Sequence, residues 1–199
     1  MTPRDPDDVA AYDRELAQVT IGGPRPLAGP VEIHDYDPDW PRLYQREEER
    51  IRAALGDRVI RIEHVGSTSV PGLPAKPLID VALEVPDSAD EAAYVPALEA
   101  AGYRLRIREP EWFEHRLLKG PDTDVNVHVF SAECKEVGRM LLFRDWLRGN
   151  AVDRELYAVK KRELAGREWK YMQQYADAKT AVVDEIMARA SGEEPNPRR

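Results

Sequence analysis

The residues best suited to chemistry sit together between Glu63 and Glu84, in the run EHVGSTSVPGLPAKPLIDVALE. Gly66, Ser67, Thr68 and Ser69 form a turn of small residues whose backbone amides and hydroxyls suit a phosphate group, and a glycine there lets the main chain approach a ligand closely. Taken alone, such a turn between two strands is more often only a turn. Lys76 follows as a compact positive charge suited to phosphate, although a lone lysine is usually solvated. Asp80 then interrupts an apolar run, and a carboxylate in that place needs a partner because burying an isolated charge is very costly. A divalent metal ion, an arginine or turn amides each satisfy that need. The order strand, Gly-Ser turn, loop, lysine, strand carboxylate within a hairpin-sized stretch is more informative than any of its parts.

A second set lies in EHRLLKGPDTDVNVHVF, residues 114–130. Asn126 and His128 share one face of a strand by its period of two. The His128 imidazole, with an ordinary pKa near ~6.5, serves as a general base, as a metal ligand beside Asp80, or as a packed histidine bonded to that carboxylate. Arg116 offers a fork for phosphate or a substrate carboxylate, with a salt bridge to Glu114 as the plain alternative. Glu84 points to the same face as Asp80 but lies two pleats away, roughly 13 Å at ~3.3 Å per residue, too far to share an ion. His34 and His64 make no zinc-like spacing with the other histidines, and Cys134 is the single cysteine, so neither a zinc site nor an internal disulfide is expected.

These residues need elements to position them. Trp40, Leu43, Tyr44, Ile51 and Leu55 recur at helical spacing up to Gly56, and Val31–Ile33 is a candidate short strand. Residues 58–65 alternate like a half-buried strand, and 78–85 is an apolar run typical of a central one. Residues 87–101 suggest a helix ended by Gly102, with further strands over 103–108, 112–118 and 125–130, giving a sheet of about five strands. From Cys134 to Ala190 no proline occurs and apolar residues recur at helical intervals, which predicts two or three helices with breaks at Gly149 and Gly166. The four tryptophans are spread along the chain, as packing residues or the border of a cleft.

The whole chain has 199 residues, 42% hydrophobic and 33% charged, the balance of one globular domain. A net charge of -8 argues against a general nucleic-acid binder. Within it, residues 131–190 carry 12 Lys and Arg against 10 Asp and Glu, so the helical part is the cationic side. No apolar run reaches the ~18 residues of a membrane span and the N-terminus does not read like a signal peptide, so a cytoplasmic protein is expected, a monomer by default. Residues 1–30, rich in proline apart from a short helical stretch over 9–19, are expected as a partly disordered arm. Residues 31–190 are expected as one domain, with an α/β core to 130 and a helical part after it, and 191–199 as a disordered tail.

The order Gly66-Ser67 followed by Asp80 resembles the nucleotidyltransferase superfamily. The longer wording HVGSTSVPGLPAKPLID is similar to the GrpB family, a branch of it, and the likeness continues through Asp35-Tyr36-Asp37 with Trp40, EHRLLKGPDTDVNVHVF, FRDWLR (143–148), Tyr157 with Lys160, and Tyr175 with Lys179. It covers roughly residues 31–190. The resemblance implies a mixed α/β fold and transfer of a nucleoside monophosphate from a nucleoside triphosphate to a small-molecule acceptor. It places the triphosphate on Gly66, Ser67 and Ser69, with Lys76, Lys160 and Lys179 near the phosphates, Arg116 on acceptor or phosphate, Mg²⁺ on Asp80, and His128 with Asn126 acting on the acceptor. Two departures bear on this. Working nucleotidyltransferases usually carry a second carboxylate two residues after the first, where this chain has Ala82, and a third on a neighbouring strand, where it has Asn126 and His128. Two other readings therefore stay open: an ATP-dependent ligase that activates a carboxylate for amide formation, and a binding module for a nucleotide or a coenzyme A-related metabolite, since GrpB-like domains occur fused to dephospho-coenzyme A kinase.

Overall fold

The computed structural model of the chain describes residues 8–192, so the first seven residues of the expected arm and residues 193–199 of the expected tail lie outside the described residues. Five strands, β1 (Arg61–Val65), β2 (Ile79–Val85), β3 (Arg104–Glu109), β4 (His115–Lys119) and β5 (Val125–Ser131), form one mixed sheet in the order β1-β2-β5-β4-β3. β2 and β5 run parallel, while the other neighbouring pairs are antiparallel. The parallel pair needs a crossover, and the chain supplies one through a helical segment and the β3–β4 hairpin before returning as β5. The mixed α/β class and the five strands are those expected from the residues.

Strand parity divides the sheet into two faces with different tasks. Ile79, Val81, Leu83 and Val85 of β2, Val125, Val127 and Val129 of β5, and Leu118 of β4 are all buried on one face. Helices α2 (Trp40–Leu55) and α3 (Val95–Ala100) cover it, inserting Trp40, Ile51, Leu55, Val95 and Leu98. This is the main core. α2 buries one charged residue, Glu47, which accepts from the Tyr103 and Thr123 hydroxyls, and turns the others outward. It begins with proline in its first turn and ends at Gly56, whose φ of 57° stops the helix. The opposite face is apolar only in part: Val65, Ala82 and Phe130 pack under Val137 of α4 (Lys135–Gly149), with Met140 and Leu141 alongside. The rest of that face carries Asp80, Asn126 and His128.

The helical part contains four helices instead of two or three: α4, α5 (Ala151–Ala165), the short α6 (Met172–Asp177) and α7 (Thr180–Ala190). Three other elements differ from the pattern reading, each for a local reason. β4 starts at His115 and not at 112, because Phe113 and Glu114 have φ values of 55° and 50°, a left-handed backbone that no strand holds. The 87–101 segment splits into a single turn over Glu91–Ala93 and α3, which restarts with proline in its first turn. Residues 31–33 form no strand, and only His34 makes an isolated bridge, to Ala75. The described part of the arm packs on the body. Its helix α1 (Val9–Val19) buries Tyr12 completely, the Tyr12 hydroxyl donates to Asp177 at 2.7 Å, the Ile21 amide donates to the Arg106 carbonyl at 2.8 Å, and Leu27 is bonded to Lys170. Among the described residues no helix is long and apolar enough to cross a membrane.

Candidate functional site

The turn after β1 is built for close approach. Gly66 has φ 70° and ψ -175°, a combination open only to glycine at low cost. A side chain there is also excluded by space, because a Cβ would lie 2.9 Å from the Cβ of Asp80 and closer still to its Oδ2. The turn and the carboxylate are therefore in contact. Ser67–Ser69 form one tight helical turn, closed by the Ser69 amide on the Gly66 carbonyl and the Val70 amide on the Ser67 carbonyl. Thr68 and Ser69 are buried, and their hydroxyls are committed: Thr68 donates to the Leu78 carbonyl at 3.0 Å, and Ser69 to the Gly66 carbonyl at 2.6 Å. Ser67 is half-buried and its hydroxyl has no partner among the described residues. Of the three turn hydroxyls expected at phosphate, Ser67 is the one left available.

The turn is braced from both sides. His64 Nε2 donates to the Thr68 hydroxyl at 3.1 Å, since that hydroxyl already donates elsewhere, and the His64 ring stacks on Tyr44 of α2. Burial pushes His64 down to about 4, which keeps it neutral. From α4, Arg148 donates through Nε and Nη2 to the Ser69 carbonyl at 3.0 and 2.8 Å.

Asp80 opens β2 and faces β5 across the parallel register, which pairs Asp80 with Asn126 and Ala82 with His128. Asn126 Nδ2 donates to Asp80 Oδ1 at 2.9 Å, and His128 Nε2 stands 3.5 Å from the same oxygen. Burial raises the Asp80 carboxyl, but contact with His128, the Asn126 hydrogen bond and the charge of Lys119 outweigh it and hold the group below the ordinary carboxylate range. His128 does not end the series. Its Nδ1 lies 3.0 Å from His115 Nε2 on β4, and His115 Nδ1 lies 2.7 Å from Glu109 Oε2 at the end of β3. The two rings stack 5.2 Å apart, and burial pushes His115 down to about 4. Neither Glu109 nor a part for His115 was anticipated from the residues, because the pairing of Glu109 with His115 depends on a hairpin register that spacing alone does not reveal.

Other expected residues fall differently. Arg116 is on the opposite face of the sheet, opposite Val129, bound to Glu91 at 2.6 Å and Glu114 at 3.2 Å, so the fold does not bring it to Asp80. Glu84 is likewise separate, accepting from the Cys134 amide and paired with Arg61. Lys160 is half-buried on α5 and bonded to Glu163, one turn on. Its neighbour Lys161 is the inward residue: 2% exposed, it donates to the Pro74 carbonyl, lies over the Tyr157 ring and is pushed down to about 6 by burial. Helical phase carries the signal that finds it, since Tyr157, Ala158, Lys161 and Leu164 make one buried stripe. Lys179 lies over the Tyr175 ring and acts electrostatically on both Lys161 and Lys76, while Lys76 also feels Asp80. None of these three lysines has a carboxylate partner among the described residues, and the buried Tyr175 hydroxyl close to them has no hydrogen-bond partner. Lys76 also lines an open groove with Leu27, Val31, Pro77 and Met172.

The donor set fits a magnesium ion of one kind. Asp80 supplies a carboxylate, and Asn126 Oδ1 is a buried oxygen that no donor reaches. No cluster of three or more His, Cys, Asp or Glu able to hold an ion occurs among the described residues. Mg²⁺ tolerates few protein ligands when water and phosphate oxygens complete its shell, so it fits here as a companion of phosphates.

Comparison with known proteins agrees with the fold. A UPF0157 protein of Halalkalibacterium halodurans, BH1888, is 59% identical over 179 residues, covering 90% of this chain and 92% of that protein. A dephospho-CoA kinase of Mycolicibacterium paratuberculosis is 32% identical over 164 residues, which span 69% of this chain but only 40% of the kinase. The crystal structure of the conserved protein GrpB from Enterococcus faecalis superposes with a TM-score of 0.69 at 27% identity, covering 80% of this chain and 96% of that one. The model of the family described as GrpB protein matches residues 30–189, nearly the whole described body. With the mixed five-stranded sheet and the Gly66–Asp80 contact in place, the chain belongs to the GrpB family, within the nucleotidyltransferase-like superfamily.

Proposed function

We propose that the chain transfers a nucleoside monophosphate from a nucleoside triphosphate to a small-molecule acceptor. The observation that carries this reading is the contact of Asp80 with the Gly66 turn, bonded to Asn126 and close to His128, with Lys76 near enough to feel its charge. Lys76 and Lys179, without carboxylate hydrogen-bond partners among the described residues, and Lys161, held neutral by burial and able to take up a proton as phosphate arrives, suit a polyphosphate that brings its own cation to a chain of net charge -8. Lys76, Lys161 and Lys179 take the phosphate role, Lys161 being the inward neighbour of the expected Lys160, and the Ser67 hydroxyl and turn amides take the oxygens nearest the reacting phosphorus.

In this reading His128 Nε2 accepts the acceptor's proton as the acceptor oxygen bonds to the α-phosphorus. The bond from that phosphorus to the bridging oxygen breaks, and pyrophosphate leaves with the electron pair. Asp80 stabilises the imidazolium that forms, and Asn126 orients Asp80. Mg²⁺, held by Asp80 and Asn126 with the phosphates, supplies charge neutralisation on the leaving group. Titration of ATP into the protein, with and without Mg²⁺, tests the reading. Binding that needs Mg²⁺ and weakens at least about tenfold in Asp80→Asn supports it, and pyrophosphate release with hydroxyl, phosphate and carboxylate acceptors then separates transfer from ligation.

A second reading rests on Ala82. The second carboxylate's place is filled by a methyl group, 1% exposed, packed with Val65 and Phe130, so that face of β2 is sealed where a two-ion enzyme keeps it polar. With the similarity to a dephospho-CoA kinase, this favours a binding module for a nucleotide or a coenzyme A-related metabolite. Equal ATP affinity with and without Mg²⁺, unchanged in Asp80→Asn, is its signature and overturns the transfer reading.

A further inference from the structure

We propose that Glu109 and His115 are positioning residues that hold His128 in its Nδ1–H tautomer, leaving the Nε2 lone pair to face Asp80 and the cleft. The functional consequence rests on the reading of His128 as the base, whereas the tautomer itself does not.

The argument is a count of protons along four groups. Glu109 Oε2 to His115 Nδ1 is 2.7 Å, His115 Nε2 to His128 Nδ1 is 3.0 Å, and His128 Nε2 to Asp80 Oδ1 is 3.5 Å. Three contacts ask for three protons. A neutral imidazole carries one proton and an ionised carboxylate none, so a pair of rings in that form has two to give. His115 is 3% exposed and neutral, so it carries a single proton. That proton belongs on Nδ1, because a bare Nδ1 at 2.7 Å would set its lone pair against a carboxylate. The Nε2 of His115 is then an acceptor, and the 3.0 Å contact needs a proton on His128 Nδ1. The contact without a proton is the third, and it is the longest of the three.

Packing keeps the arrangement from relaxing. The His115 ring is held against Trp112 and Phe130, with centroids 5.1 and 4.9 Å away, and it stacks on His128. Glu109 and His115 face each other across the last pair of the β3–β4 hairpin, whose turn passes through the left-handed Phe113 and Glu114. A carboxylate bonded to the far nitrogen of a histidine is a recurrent means of fixing which nitrogen is free to act, and here a second imidazole extends it by one step. The bare Nε2 beside Asp80 is then ready to accept a proton, and on doing so it becomes a donor to that carboxylate. Asp80, already bonded to Asn126, gains His128 as a second donor only after the transfer.

Long-range ¹H–¹⁵N correlation spectra of the ligand-free, full-length protein at about pH 8 report the tautomer of each of its four histidines. His128, assigned by its loss in His128→Gln, is expected as the Nδ1–H form. In His115→Phe, which keeps a ring in the stack but offers no acceptor, the His128 proton is expected on Nε2, toward Asp80. Glu109→Leu, at a site 30% exposed and so tolerant of change, is expected to give mixed tautomers at His115 and His128. A wild-type His128 in the Nε2–H form overturns the proposal, as does a tautomer that neither substitution alters. In a transfer assay Glu109→Leu should lower kcat about tenfold or more with KM unchanged. Absence of any transfer by the wild type would instead count against the proposed reaction and leave the spectroscopic result standing.

Discussion

Gly66 and Asp80 occupy one volume, so neither can be altered independently of the other. The backbone at Gly66 alone makes any other residue cost about 1–3 kcal/mol, and an alanine methyl must also displace the Asp80 side chain. Gly66→Ala is therefore expected to lower unfolding stability by at least about 2 kcal/mol in urea denaturation and to abolish Mg²⁺-dependent nucleotide binding. Adding Asp80→Gly should return part of the stability, because space is freed, and none of the binding. Strict additivity of the two substitutions in stability would show that the contact does not matter. Gly66, Asp80, Asn126 and His128 were all legible in the sequence, since each is an anomaly for its place: a glycine at a strand end, or a polar side chain inside an apolar run. Lys161 is legible from helical phase, as the inward neighbour of Lys160 in the Tyr157–Leu164 stripe. Arg116 and Glu109 were not, because the face each occupies is set by β4 register and by the hairpin turn.

At the level of elements, the site is a turn clamped between two helices. α2 reaches it through Tyr44 and His64, and α4 through the Arg148 fork on the Ser69 carbonyl. Charge-assisted bonds of this kind contribute about 1.5–3 kcal/mol when buried, and Arg148 is 40% exposed, so about 1 kcal/mol is the proper scale. Arg148→Gln should thus cost little stability but weaken nucleotide binding several-fold, a divergence that separate denaturation and calorimetric measurements would reveal. The arm behaves in the opposite way. Tyr12 is fully buried far from Asp80 in sequence, joined to Asp177, so Tyr12→Ala should lower stability by about 3 kcal/mol with nucleotide affinity unchanged in the folded protein. The strands were readable from alternation and apolar runs, whereas the split of the 87–101 helix and the docking of residues 8–30 depend on tertiary contacts that no local pattern records.

Three buried bases of the molecule, His64, His115 and Lys161, are held in neutral form by burial. Burial pushes His64 and His115 down to about 4 and Lys161 down to about 6, against ordinary values near ~6.5 and ~10.4 in the unfolded chain. The sign follows from proton counts. Between about pH 4 and 6.5 the unfolded chain binds up to two more protons than the folded one through the histidines, and between about 6 and 10 up to one more through Lys161, so both ranges favour the folded state as pH rises. Asp80, held low, adds to the loss of stability in acid. Above pH ~10 the direction reverses, because Tyr44, Tyr94, Tyr103 and Tyr175 are raised by burial and stay protonated while their unfolded counterparts ionise. The expected optimum is therefore alkaline, near pH 9–10, although the net charge of -8 would place the least self-repulsion much lower. Each unmatched proton contributes a slope of at most about 1.4 kcal/mol per pH unit. Urea midpoints measured from pH 5 to 9 should rise throughout in the wild type, and in Lys161→Met the rise should persist below pH 6.5 but flatten between 7 and 9. A wild-type curve already flat over that upper range, or a variant that keeps the same slope, would mean that Lys161 is charged where it lies and that, with Lys179, it offers one more positive charge before any phosphate arrives.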